Sequence, residues 1–155
     1  MTGKKQKPTP PAPTSDDSIR KARLAGIRGS VERQSAAPPP SDVMSGVSWN
    51  FHAGRAGDLA EFVKEVTEFN DEAGASSWDP TKLVIRASLI RVAYGDDEAK
   101  TLRSTSPVGF TMADLLYQIH GYYYRALAEV DHAFFEGLQL EDEGPPPVYN
   151  LRLGS

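Results

Sequence analysis

The chain contains no cysteine. That excludes a disulfide framework, thiolate catalysis and cysteine-ligated zinc, and it fits an intracellular home, cytoplasmic or nuclear. Long apolar runs are also missing. None approaches the roughly 18 residues that a membrane span needs, so no membrane partner is expected. The first residues are polar and proline-rich, without an apolar stretch of signal-peptide type. Neither phosphate-cradling glycine loop, G-x-x-x-x-G-K-[ST] or G-x-G-x-x-G, occurs, and no G-x-S-x-G elbow presents a serine. His52, His120 and His132 show no H-x₃-H or HExxH spacing. No metal, cofactor or catalytic residue is therefore expected.

One acid–imidazole pair is present, Asp131-His132, at a junction between a helical and an alternating pattern. Sequence neighbours often point apart, so the bland reading is a turn-forming Asp beside an ordinary His. The sharper reading is a small enzyme using His120, Asp131 or His132 as acid and base. Asp96-Asp97-Glu98 offers hard-cation ligands, although adjacent acids in a loop are ordinarily just solvated.

Charge is unevenly spread. The formal net charge is −4, yet residues 1–34 carry +5, which leaves −9 for the remainder. Residues 1–45 read as a disordered basic tail in which KPTPPAP and AAPPPSD favour extended conformations. Between them a short helix is expected over residues 16–33. Its basic residues form two clusters, Lys4, Lys5 and Lys7, then Arg20, Lys21 and Arg23, with twelve residues between. That spacing resembles a bipartite nuclear localisation signal; the alternative is a solvating tail. Contact with nucleic acid through this tail would be weak and salt-sensitive, and no aromatic side chain lies among the basic ones to stack on bases.

Residues 46–155 read as a single α+β domain. Trp49 and Phe51 are its first large anchors. Leu59, Phe62, Val63, Val66 and Phe69 then share one face of a helix that begins at Asp58 and ends near Gly74. Residues 82–94 (KLVIRASLIRVAY) are β-branched and bounded by turn signals, but their alternation fails near Leu89-Ile90. A bulged strand, two short strands or a helix all remain open there. Residues 95–109 read as a loop with one helical turn over 97–102.

The organising stretch is 110–140. Thr111 followed by Asp114 resembles a capping box, and Leu115, Leu116, Ile119, Tyr122, Tyr123, Ala126 and Leu127 extend a helix over about 112–127. Gly121 stands in its middle at a cost of roughly 1 kcal/mol against alanine. Tyr122, Tyr123 and Tyr124 span about 200° of azimuth, so they cannot all face one core. Tyr122 and Tyr123 continue the stripe, which leaves Tyr124 outside, beside His120 one turn earlier. The pair Tyr124 and His120 is the candidate interface anchor. From Phe134 the pattern alternates. With the proline-rich loop after residue 141 and the alternation of Tyr149, Leu151 and Leu153, it predicts an antiparallel hairpin.

Residues 83–154 resemble a domain family of unknown function abundant in mushroom-forming fungi. The likeness rests on Gly109-Phe110-Thr111 leading into Asp114-Leu115-Leu116 and Ile119, on Phe134-Phe135-Glu136-Gly137-Leu138, and on the closing Val148-Tyr149-Asn150-Leu151-Arg152-Leu153-Gly154. It implies a small α+β domain and brings no activity, catalytic residue or cofactor.

The expected architecture is a small, mostly antiparallel sheet packed against two main helices and preceded by the tail. Its core would hold Leu59, Phe62, Val63, Val66, Phe69, Val84, Ile85, Leu115, Leu116, Ile119, Tyr123, Phe134, Leu138, Tyr149, Leu151 and Leu153. The expected function is a non-catalytic protein-interaction module with a protein partner.

Overall fold

The long strand β7 (Phe134–Asp142) is the element to which most of the sheet is attached. The structure is a computed structural model that describes residues 38–74, 76–131 and 133–154. The basic clusters, the helix expected over 16–33 and His132 lie outside the described residues. Two edge segments, β1 (Asp42–Val43) and β2 (Trp49–Asn50), pair with β7 on one side. On its other side β7 forms the expected antiparallel hairpin with β8 (Val148–Gly154). Next to β8 lies β4 (Leu89–Ala93) in a parallel pairing, and β5 (Lys100–Arg103) closes the sheet antiparallel to β4. A separate pair, β3 (Leu83–Ile85) with β6 (Phe110–Thr111), stands beside the start of the central helix. Residues 82–94 are thus two short strands, and they belong to different sheets.

Helix α1 (Leu59–Ala73) is capped by the Asp58 carboxylate, which accepts from the Glu61 N–H. Helix α2 (Met112–Tyr123) is capped by Thr111, whose hydroxyl accepts from the Asp114 N–H. The second half of the expected capping box is used differently. The buried Asp114 carboxylate accepts from Thr105 N–H and from the Gln118 amide, so it anchors the 104–109 loop. Both helices share one core with the sheet, which takes Phe62 and Val66 from α1, Leu115, Leu116 and Ile119 from α2, and Ile90, Val92, Leu138, Tyr149 and Leu151 from the strands. Tyr123 reaches across to donate to the Val92 carbonyl at 3.0 Å. Burial, with the Asp97 charge adding to it, pushes this hydroxyl up to about 12.

The sheet takes in residues before 46. Tyr149 donates to the Pro40 carbonyl, Leu140 N–H to Ser41, and Arg152 pairs with Asp42 at 3.2 Å.

Four expectations are corrected. Phe134 is 40% exposed, because β7 carries a bulge: Phe135 faces Leu153 and Gly137 faces Arg152, so Glu136 is an extra residue. The bulge shifts the alternation by one, which turns Phe135 inward before it and Leu138 inward after it. Leu59 is 39% exposed, at the first turn of α1 and past the packed part of that face. The regular part of α2 ends at Tyr123. Beyond it the bonds tighten from Leu127 N–H→Tyr123 to Val130 N–H→Leu127, curling the chain back so that the Ala133 carbonyl accepts from Phe51. Finally, residues 100–103 are a strand where one helical turn was expected. Leu102 alone is buried there, too little apolar signal to show alternation.

Gly137 occupies the bulge at φ +112°, and a Cβ there would lie 2.8 Å from the Val43 carbonyl. Gly137→Ala therefore strains the backbone and pushes β1 away from β7. The expected cost is about 1–3 kcal/mol of unfolding free energy in urea titration, with the secondary-structure content of the native state unchanged.

Candidate functional site

His120 is on the buried side of α2, 1% exposed. This corrects the expectation that it stands at the surface beside Tyr124. An indole N–H can only donate, so the bond from Trp49 Nε1 to His120 Nδ1 at 3.0 Å makes Nδ1 the acceptor. Nε2 then carries the proton and donates it to the Gly54 carbonyl. The ring is a neutral imidazole with both nitrogens in use. Burial holds its pKa below the ordinary histidine value, against opposing contributions from the Gly54 bond and the Glu65 charge. Phe51 stacks on one side at 5.8 Å and 11°, and Tyr124 at 5.5 Å and 19°.

This clasp positions the loop 54–57. Gly54 is held by His120, and the Gly57 carbonyl accepts from the Tyr117 hydroxyl at 2.8 Å. Both ends of the loop are thus tied to α2. The single 3-10 turn before it, Phe51–Ala53, is fixed in turn by Phe51 N–H to Ala133 and by His52 Nε2 against the Val130 carbonyl.

Between this loop and the outer face of α2 lies an open groove of about 650 Å³. Arg55, Ala56 and Gly57 form one wall, and Tyr117, Gln118 and Tyr124 belong to the other. Gly121, Tyr122 and Arg125 complete it. Tyr122 is 50% exposed, a correction to its expected burial. Tyr123 continues the azimuth of Ile119 into the core, which leaves Tyr122 turned out on the flank. Tyr124 is half-buried, with the Arg125 guanidinium 5.6 Å from its ring centre and Arg125 Nε donating to its hydroxyl.

Two features of the groove were hidden in the sequence. The first is Gly121: a Cβ built there meets nothing within 4 Å. The glycine therefore answers no packing need among the described residues, and its space opens into the groove. The second is Arg55, an unremarkable loop cation until the Gly54 and Gly57 bonds place it opposite α2. No carboxylate lines the groove. Among the described residues neither Arg55 nor Arg125 is in an ion pair; that of Arg152 with Asp42 lies elsewhere.

Asp131 is exposed and no hydrogen bond joins it to His120. Among the described residues no cluster of three histidines or acids is placed to hold a metal ion, and no helix is long and apolar enough to cross a membrane. No protein-family model matches the chain, and neither a curated protein nor a solved structure matches it.

The buried neutral imidazole links stability to pH. In the unfolded chain His120 takes a proton near its ordinary value of 6.5, which the folded state refuses. Stability is thus complete above that value and falls as the pH drops below it, by at most about 1.4 kcal/mol per pH unit. Urea titrations between pH 7.5 and 5.5 should show this decline in the wild type, and His120→Gln should lack that component.

Proposed function

We propose that the folded unit is a non-catalytic protein-interaction module whose binding surface is the groove between residues 54–57 and α2. Gly121 is the observation that carries this reading. A glycine in mid-helix costs roughly 1 kcal/mol against alanine, and here a methyl group would fit the fold freely. The residue keeps a floor clear between Tyr122, Tyr124 and the two arginines. Half-exposed tyrosine and arginine are the side chains that dominate binding at protein interfaces. The walls are fixed before a partner arrives, which lowers the ordering cost of association. His120 serves this surface from behind by supporting Tyr124; with no free nitrogen, it offers no general base.

Gly121→Leu fills the groove without meeting any atom of the domain. The expected outcome is an unchanged or slightly raised melting temperature together with at least a tenfold loss of partner binding, a loss of the size that one blocked anchor pocket produces (about 1.4 kcal/mol or more). Retained binding by a well-folded Gly121→Leu variant would place the interaction elsewhere.

A second reading rests on the two basic clusters and the +5 charge of residues 1–34. It makes the chain a nucleus- or nucleic-acid-associated protein acting through Lys4, Lys5, Lys7, Arg20, Lys21 and Arg23. Changing all six to Ala should then abolish nuclear accumulation of a fluorescent fusion, and an unchanged distribution would remove this reading. The resemblance to the fungal family carries no activity and is neutral between the two.

A further inference from the structure

We infer that the groove takes a phosphorylated side chain presented on an extended peptide of a partner protein. This rests on the groove being the interaction surface proposed above and names what it recognises.

The argument starts from donors and acceptors. Arg55 and Arg125 offer nine guanidinium N–H donors between them beyond the Nε that Arg125 gives to Tyr124, because a guanidinium has five and no acceptor. Tyr122 and Tyr124 bring two phenol hydroxyls to the same opening. No carboxylate lies along the walls to use these donors up, and neither arginine has an acidic partner among the described residues. A surface rich in donors and poor in acceptors is complementary to a group that only accepts, which means a carboxylate or a phosphate ester.

Overall charge decides between these. The chain from residue 35 onward carries −9. A peptide that gains its negative charge from several acidic residues is repelled by that body along its whole length. A phosphate concentrates about −1.5 to −2 charges and three acceptor oxygens at one point, against the arginines and away from the rest. The same comparison disfavours a nucleic-acid strand, whose successive phosphates need many cations and here find two. The aromatic faces of Tyr122 and Tyr124 then serve the residues next to the phosphate, and the open space over Gly121 lets the peptide backbone lie close to α2.

The test uses the full-length chain in fluorescence anisotropy. Its probes are an oriented library of peptides with a central phosphoserine, phosphothreonine or phosphotyrosine, the same library without phosphate, a uridine oligonucleotide, and inorganic phosphate as competitor. The expected result is binding of phosphorylated peptides at least about tenfold tighter than their unphosphorylated forms. That preference should vanish in the double variant Arg55→Ala, Arg125→Ala, and all peptide binding should vanish in Gly121→Leu. Equal affinity for both libraries, indifferent to the arginines and abolished by Gly121→Leu, would overturn the phosphate inference and leave the interaction module standing. Peptide binding in no arm would overturn both. Preferential capture of the oligonucleotide, or competition by inorganic phosphate at peptide-like concentrations, would overturn the peptide inference in favour of an RNA or a free-anion site.

Discussion

The bond from Trp49 Nε1 to His120 Nδ1 is the constraint on which the working face depends. It joins a short edge strand to the central helix across 71 residues of sequence and fixes which nitrogen of the imidazole is protonated. Once Nδ1 must accept, Nε2 must donate, and the acceptor in reach is the Gly54 carbonyl. One tautomer therefore determines where the 54–57 loop begins. Four rings enclose the imidazole: Trp49, Phe51, Phe62 and Tyr124. A buried polar group of this kind is costly when any partner is lost, because the remaining donor or acceptor is stranded away from water. The clasp is thus rigid for the same reason that it is poorly suited to proton transfer.

The sheet supplies the second half of that rigidity. β2 holds Trp49 only because it pairs with β7 at Phe135 and Phe134. β7 also pairs β1 a few residues further on, and the bulge at Glu136–Gly137 lies between the two pairings. Without the extra residue, one inward face would have to serve the whole strand, and either Phe135 or Leu138 would point to solvent. Asn70 closes the remaining gap. Buried in α1, it donates to Ser48 and Val66 carbonyls and accepts from Ser48 N–H, so the segment leading into β2 is bonded to the helix that covers it.

How much of this was legible follows from how each feature is encoded. The two helices, their caps at Asp58 and Thr111 and the closing hairpin are local: apolar spacing and one or two side chains suffice to specify them. β5 was missed because a short edge strand buries a single leucine, and alternation needs more than one member to be seen. Phe134 and Tyr122 were misplaced because a bulge and an early helix end each alter the phase of a periodic pattern. Neither leaves a mark beyond one glycine or a change in bonding step. The groove was the least visible of all. Tyr124 was found by azimuth alone, but His120 was read as a surface neighbour, since the tryptophan that buries it lies far away in sequence. Arg55 became part of a site only through two carbonyl bonds of glycines, residues with no side chain to advertise the contact.

The groove differs from the rest of the surface in one further respect, which follows from its glycine. Elsewhere in the domain glycines serve geometry: Gly137 has positive φ in the bulge, and Gly109 passes close to the Ile85 carbonyl. Gly121 is in ordinary helix with open space above it. A helix interior disfavours glycine through backbone entropy, so its presence costs stability that no contact within the described residues returns. The compensating interaction must then lie outside the domain, at the one face where tyrosines and unpaired arginines surround that open space. Charge gives the same direction. An acidic body that leaves two guanidiniums without carboxylate partners on one face has kept them for an acceptor that it does not itself supply.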